Sequence, residues 1–422
     1  MRALVAFPST AIFGQQAARA FADHGELEAF VTCFAFDRQG ALARLLRSLP
    51  GRLGHRIEHE LARRTVSEVP RGLVETHPFW EIVRTAADKG GAGARRVDRI
   101  WDHMSRRFTG SVGQRLTGEI RLVYAYEYTA LEAFAAADRL GIAKVLDFPS
   151  LNSRAFQELH RAQKAAFPEL AEPLDAYFEG LFELRQARRD AEMRAADVIV
   201  TNSLVTRASH VSGGADPART FAVPYGAPPV VERREPKNLG SNRPLRLIWA
   251  GTFSIRKGAH LLIEAMRQLG ERADYQCDVY GAVSLPEAML ATAPKSLTFH
   301  GSVVRDRLFA AYDDADILIF PTLSDGFGMV VTEAFSRGLP VITTDQAGAS
   351  DLVRDGDNGL IIPAGDSTAI ARALAWCRDN SNRLPEMGKA ARETARTWQW
   401  SDYRARLRDV VFDGLAQVKG SA

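Results

Sequence analysis

The chain has 422 residues, 46% hydrophobic and 25% charged, with a formal net charge of +3. That length exceeds one ordinary core and points to two domains, and the composition excludes disordered and fibrous classes. The small charge gives no case for a nucleic-acid partner, no apolar run approaches the roughly 18 residues of a membrane span, and Cys33, Cys277 and Cys377 lie too far apart for a metal site or disulfide framework, which fits a reduced cytoplasmic protein.

After Met1-Arg2 the run Ala3 to Phe7 is too short for a signal-peptide core and reads as a first buried strand. Pro8 to Gly14 and an apolar-periodic helix through Phe21 follow. Further strands are predicted at Ala29–Phe34, Leu122–Tyr124, Val145–Phe148, Val198–Thr201 and Phe221–Val223, with helix-length segments at Glu127–Leu140 and Ala155–Ala195. Strands alternating with helices predict a parallel sheet covered on both faces. Residues 226 to 244, opening on Gly226-Ala-Pro-Pro229 and closing on Asn238 to Pro244, read as a linker. A second alternation places strands at Leu245–Trp249, Asp278–Tyr280, Leu297–His300, Ile317–Phe320, Val341–Thr343 and Leu360–Ile362. Helices are predicted at His260–Leu269, Asp306–Asp313, Met329–Arg337 and Thr368–Arg378.

Two segments carry chemistry. Ser324-Asp325-Gly326-Phe327-Gly328 follows a strand and precedes a helix. Its glycines let the backbone approach a ligand, and the helix start behind them offers free N–H groups and a positive dipole end. Glu333, eight positions after Asp325, is of the type that accepts hydrogen bonds from a ribose diol. On spacing alone, a ligand loop and a plain strand–helix turn with a solvated Glu fit equally well. The second segment, Gly251-Thr252-Phe253-Ser254-Ile255-Arg256-Lys257-Gly258, sets two cations in a glycine-bounded loop, as a diphosphate site requires, or as a solvated basic turn would. Lys257 is followed by glycine, so this is not a P-loop, and neither opening strand carries a dinucleotide fingerprint.

In order and separation, these pieces are joined by Phe299-His-Gly-Ser-Val303, Asp314-Ala-Asp-Ile-Leu-Ile-Phe-Pro321, Gly338-Leu-Pro-Val-Ile342 and Asp355-Gly-Asp-Asn-Gly359. The run from Ile248 to Asp366 resembles the donor-binding domain of glycosyltransferase family 4. Ala196-Asp-Val-Ile-Val-Thr-Asn-Ser203, Val223-Pro-Tyr-Gly226 and Trp400-Ser-Asp-Tyr403 resemble the family outside that domain. The resemblance implies an α/β GT-B fold, two Rossmann-like domains facing across a cleft with a C-terminal helix crossing back. It divides the chain into an acceptor-binding domain (1–228), a linker (229–244), a donor-binding domain (245–398) and the terminal helix (399–422).

The resemblance also implies a retaining transferase that moves a sugar from a nucleoside-diphosphate sugar to a glycan, lipid-linked or small-molecule acceptor, in cell-surface polysaccharide or glycoconjugate synthesis, without metal or resident cofactor. Asp325 and Glu333 occupy the family's E-x7-E pair, Asp replacing the first Glu; the first carboxylate faces the donor sugar and the second binds the ribose. Gly326 lies between them, the amides of Phe327 and Gly328 approach sugar and phosphates, and Lys257 stabilises the departing diphosphate. Val303 marks main-chain contacts to the base. Gly14 matches a glycine that lets the acceptor-side domain close on the phosphates. Thr252 stands where the family usually has Arg, a charge that Arg256 is placed to supply. The segment Asp147–Ser153 lacks the family's N-domain His; His160, the nearest, reads equally as a surface residue. These two departures keep open a catalytically silent nucleotide-sugar-binding partner subunit.

Residues 38 to 121 carry 17 Arg and Lys against 9 Asp and Glu, with Phe79, Trp80, Trp101 and Phe108 among them. Such a stretch is either a face for anionic lipid at the inner plasma membrane or an ordinary solvated Arg-rich surface.

Overall fold

The computed structural model describes residues 2–48, 53–232, 243–270 and 274–420. Seven strands form the first sheet: β1 (Ala3–Ala6), β2 (Leu27–Thr32), β3 (Val74–Thr76), β4 (Leu122–Tyr126), β5 (Ala143–Phe148), β6 (Val198–Thr201) and β7 (Thr220–Ala222). They lie parallel in the order β3-β2-β1-β4-β5-β6-β7. Helices cover both faces, so strands such as β4 are buried along their whole length and read as unbroken apolar runs. The edge strand β3, Val-Glu-Thr, has no such run and gives no signal in sequence.

The second half repeats the plan. β8 (Leu245–Ala250), β10 (Tyr275–Tyr280), β12 (Leu297–Gly301), β13 (Ile317–Phe320), β14 (Val341–Thr344) and β15 (Gly359–Ile362) form a parallel sheet in the order β12-β10-β8-β13-β14-β15. Two short strands, β9 (Phe253–Ser254) and β11 (Val283–Ser284), pair beside it. In each sheet the first strand is flanked on one side by its successor and on the other by a later strand. Such a switch point opens a crevice at the strands' carboxyl ends. The loops after β1 and β8 therefore lead into the candidate site.

Two predicted helices are cut short. The segment predicted as one helix over 155–195 is two, Ser153–Ala166 and Asp175–Ala195, interrupted by Pro168 and Pro173. Proline cannot donate to the helical ladder and biases the residue before it away from helix. The helix expected from Glu127 begins only at Leu131, because residues 127–130 form a separate turn.

The domains meet through two apolar clusters, in one of which Leu170, Leu159 and Phe167 of the first domain join the core of the second. Phe7 packs on Tyr126 (ring centroids 4.3 Å apart), Phe13 stacks on Tyr225 (5.1 Å), and Tyr225 meets Phe327 of the second domain (5.1 Å). The Trp400–Gly420 helix returns to the first domain, burying Tyr403, Leu407 and Val411 and pairing Arg404 with Asp23 (2.8 Å) and Arg408 with Glu26 (2.7 Å). The expected linker falls largely on 233–242, outside the described residues. The described part already shows where the chain crosses. Ala227 N donates to Trp398 O (2.9 Å), and Val231 N reaches Ser336 O (3.1 Å) in the second domain. A Cβ on Gly226 would lie 2.4 Å from Trp400 N, so the two crossings touch.

Among the described residues no helix is long and apolar enough to cross a membrane. In the basic stretch, Phe79 is 65% exposed but Phe108 is buried in the core and Trp101 stacks on Tyr128. Of the aromatics expected there, Phe79 is exposed, Trp80 and Trp101 are half-buried, and Phe108 is interior.

Candidate functional site

The loop after β8 crosses β9, makes a short 3-10 turn at Ile255–Lys257 and enters the Ala259–Gln268 helix. Its backbone is bound to the segment after β13: Leu323 N and the Thr322 hydroxyl both donate to Arg256 O, at 2.9 and 3.1 Å. This tie brings the two sequence segments together. The Lys257 ammonium pairs with the Asp325 carboxylate and lies 4.8 Å from the centre of the Phe320 ring. Burial, then the neighbouring Arg256 charge, push the lysine's pKa down. The Asp325 carboxylate beside it is an opposite charge, of the kind that favours the ammonium form.

Arg256 takes a different course. One nitrogen donates to Ser324 O (3.1 Å), and the side chain lines a cavity between the domains. Burial lowers its pKa. Thr252 is exposed at the start of the same loop.

The Asp325–Glu333 segment is fixed by its backbone. Asp325 N donates to Gln346 O (3.1 Å), Gly348 N to Asp325 O (2.9 Å) and Ala349 N to Phe327 O (2.6 Å). Gly328, at φ 90°, occupies the left-handed region that favours glycine and starts the Met329–Ser336 helix. The first amides of that helix lie outside its ladder and face the loop. Glu333 follows on the helix, where the Tyr312 hydroxyl donates to its Oε2 (3.2 Å) and burial raises its pKa.

Gly326 and Phe327 hold the domains together. The Ser203 and Thr206 hydroxyls donate to Gly326 O at 2.8 and 2.9 Å, and a Cβ at Gly326 would stand 2.0 Å from Pro149 O. The Phe327 ring is buried against Tyr225. Gly14 is buried in the Ile12–Ala22 helix, where a Cβ would come 2.4 Å from the Phe7 ring; its small size makes room for Phe7. Val303 is half-buried just beyond the carboxyl end of β12. His160 is half-buried on the Ser153–Ala166 helix and stacks on Phe156, so it is not a plain surface residue.

Several cleft residues gave no sequence signal. Tyr128 has φ 70°, a left-handed conformation rare for tyrosine and found here at the carboxyl end of β4. Its N–H donates to Glu192 Oε2 (2.6 Å), its hydroxyl to Asp102 (2.6 Å), and Arg189 sits 4.8 Å above its ring. Glu192 also accepts from the amides of Ala130 (3.0 Å) and Leu131 (3.1 Å), capping the Leu131–Leu140 helix from a distant part of the chain. Glu127 pairs with Arg189 (2.7 Å) and accepts from the Ser150 hydroxyl (2.9 Å). Each contact joins residues far apart in sequence, and none falls within a motif.

The sequence model of the family described as "Glycosyl transferases group 1" matches residues 244–380, the part of the chain that holds Lys257, Asp325 and Glu333. This segment resembles the domain that the family shares. A D-inositol 3-phosphate glycosyltransferase of Corynebacterium glutamicum is 29% identical over 260 residues, 55% of this chain and 61% of the relative. One from Xylanimonas cellulosilytica is 28% identical over 218 residues, 47% of this chain and 52% of the relative. The chain thus spans between half and two thirds of those relatives' lengths. Among solved structures, Anabaena HepE in complex with UDP superposes with a TM-score of 0.61 at 16% identity, covering 98% of this chain and 100% of that one. Sucrose-phosphate synthase from Thermosynechococcus elongatus gives 0.60 at 16% identity and covers 100% of both chains. With two Rossmann-like domains facing across a cleft, the fold is GT-B. The matched segment lies in its second half, and the loops after β8 and β13 form the wall that faces the first domain.

Proposed function

We propose that the protein transfers a sugar from a nucleoside-diphosphate sugar to an acceptor hydroxyl, with retention of anomeric configuration, in cell-surface polysaccharide or glycoconjugate synthesis. The observation that carries this reading is the Lys257–Asp325 pair set against the start of the Met329–Ser336 helix, with Glu333 on that helix. As the bond from sugar to phosphate breaks, negative charge grows on the departing diphosphate. The Lys257 ammonium and the helix-start amides are placed to hold that charge, while Glu333, oriented by Tyr312, accepts from the ribose hydroxyls. Asp325 steers Lys257 and lies where the sugar ring would rest. The leaving phosphate can take the acceptor's proton, so the reaction needs no histidine base. Closure over Gly326 excludes water and so limits hydrolysis of the donor. The names of the relatives support glycosyl transfer, and the UDP-glucose bound to Anabaena HepE supports a nucleotide-sugar donor.

The test starts with a thermal-shift screen of UDP-, GDP- and ADP-sugars. Donor hydrolysis or transfer is then measured with the sugar that binds. Lys257→Ala is expected to lower turnover by ~100-fold or more, the effect of removing one group that holds developing charge. Binding without turnover across donors and acceptors would replace this reading with that of a silent nucleotide-sugar-binding subunit.

A further inference from the structure

Between the domains lies a cavity of about 690 Å³. The Ser153–Ala166 and Asp175–Ala195 helices wall it on the first-domain side, and Ser254, Ile255, Arg256 and Ser284 on the other. This size suits a small organic ligand. Part of the wall is aromatic: Phe156, Phe178 and Phe182, of which Phe178 remains 43% exposed. The rest is polar and charged of both signs, with Glu172, Asp175 and Glu179 among the cations, and nearly every cation there is already neutralised. Arg161 pairs with Glu179 (3.1 Å), Lys164 with Asp175, Arg185 with Asp98 and Asp102 (2.7 and 2.8 Å), and Arg189 with Glu127 (2.7 Å). Arg256 differs. Among the described residues no carboxylate pairs with it, and its one side-chain hydrogen bond goes to Ser324 O, on the residue before Asp325. It is accessible from the cavity while the surrounding protein depresses its pKa. An unpaired guanidinium presents a planar fork of donors that matches a phosphate or a carboxylate.

We propose that this cavity holds the acceptor, and that the acceptor carries a phosphate or carboxylate seated on Arg256, with a ring or apolar face against Phe156, Phe178 and Phe182. The word acceptor rests on the transferase reading; the anion site rests on the cavity itself. Through Ser324 the bound anion lies next to the loop that carries Asp325, on the first-domain side of it. Arg256 then serves acceptor recognition, and the diphosphate is left to Lys257 and the helix start.

The experiment is titration calorimetry on the full chain with phenyl phosphate, phenylacetate and the neutral benzyl alcohol, each with and without the nucleoside diphosphate found by thermal shift. At least one anion is expected to bind tenfold or more tightly than benzyl alcohol, and its affinity is expected to survive saturation with nucleotide. Which anion wins tells phosphate from carboxylate. Arg256→Gln is expected to weaken anion binding tenfold or more while nucleotide affinity stays within twofold; Arg256→Lys is expected to recover part of the loss. Ser284→Trp, at an exposed wall position, is expected to block the cavity without touching Arg256. The proposal is overturned if neither anion binds, if Arg256→Gln leaves anion binding unchanged, or if nucleotide and anion compete and the variant weakens both. Loss of nucleotide binding alone, with the anion results intact, would remove the transferase reading and leave the site.

Discussion

Gly326→Ala should separate the two domains without damaging either. Gly326 has no positive φ, so alanine is acceptable to its own backbone. The added Cβ would instead stand 2.0 Å from Pro149 O and 2.8 Å from Ser150 Cα, both main-chain atoms of the opposite domain. Relieving that overlap forces the domains apart, which also breaks the hydrogen bonds from Ser203 and Thr206 to Gly326 O (2.8 and 2.9 Å). Two such bonds at about 1 kcal/mol each, with lost packing around Phe327, sum to about 3 kcal/mol against the closed state, or ~100-fold in its population. Small-angle scattering should show a larger radius of gyration for the variant. Nucleotide affinity should stay near the parent value if the second domain alone holds the nucleotide, while turnover falls with the closed population. Unchanged scattering together with turnover within twofold of the parent would refute the idea that this contact governs closure.

Glu333→Gln should weaken nucleotide binding by ~10-fold, the scale of a lost charge-assisted hydrogen bond. Since burial raises the Glu333 pKa, parent affinity should fall as pH drops through that raised value while the variant's stays flat; calorimetry between pH 5 and 8 checks both. Asp147, fully buried and accepting from the Tyr124 hydroxyl (2.5 Å), has its pKa pushed up from 3.8 to about 7 by burial. The folded state thus binds its proton more tightly than the unfolded state, and stability falls as pH rises from about 4 to 7, by up to about 4 kcal/mol. Urea unfolding of Asp147→Asn at pH 5 and pH 8 should lack that slope; a slope equal to the parent's would assign it elsewhere. Glu192→Ala strips the acceptor from three main-chain amides and should cost roughly 3 kcal/mol in urea unfolding. Glu192→Gln, which keeps an acceptor oxygen, should cost less, and equal losses would mean that the amides find other partners.

What could be read in advance follows a physical division. A buried parallel strand must be apolar throughout, so Ile317–Phe320 and Val341–Thr344 announce themselves, and the loops at their carboxyl ends inherit the significance of the position. Lys257, after Leu245–Ala250, and Asp325 and Glu333, after Ile317–Phe320, could be singled out because their chemistry is local to motifs beyond the carboxyl ends of such strands. Tyr128 could not, since nothing in the triplet Glu-Tyr-Thr requires a left-handed tyrosine; distant Glu192 and Arg188 hold it there. The misreading of Phe108 had an available remedy. Met104, Phe108 and Val112 recur at helical spacing and are all buried, the signature of a core stripe rather than of a docking face. The break between the Ser153–Ala166 and Asp175–Ala195 helices was likewise written in Pro168 and Pro173. The two helices on either side of that break are the ones that wall the cavity.

The contact of Gly226 and Ala227 with Trp398 to Trp400 limits how the molecule moves. A domain tied by one strand of chain can swivel, twist and slide. Here two strands cross side by side, 227 to 231 outward and 398 to 400 back, and the Trp400–Gly420 helix anchors the returning one through Arg404 and Arg408. Twisting would shear the paired crossings, and sliding would pull the helix from its seat. Rotation about the line of the paired crossings, as a door turns on its pins, is the motion that would keep both contacts and return the Gly326 loop to Pro149 and Ser203 in the same register.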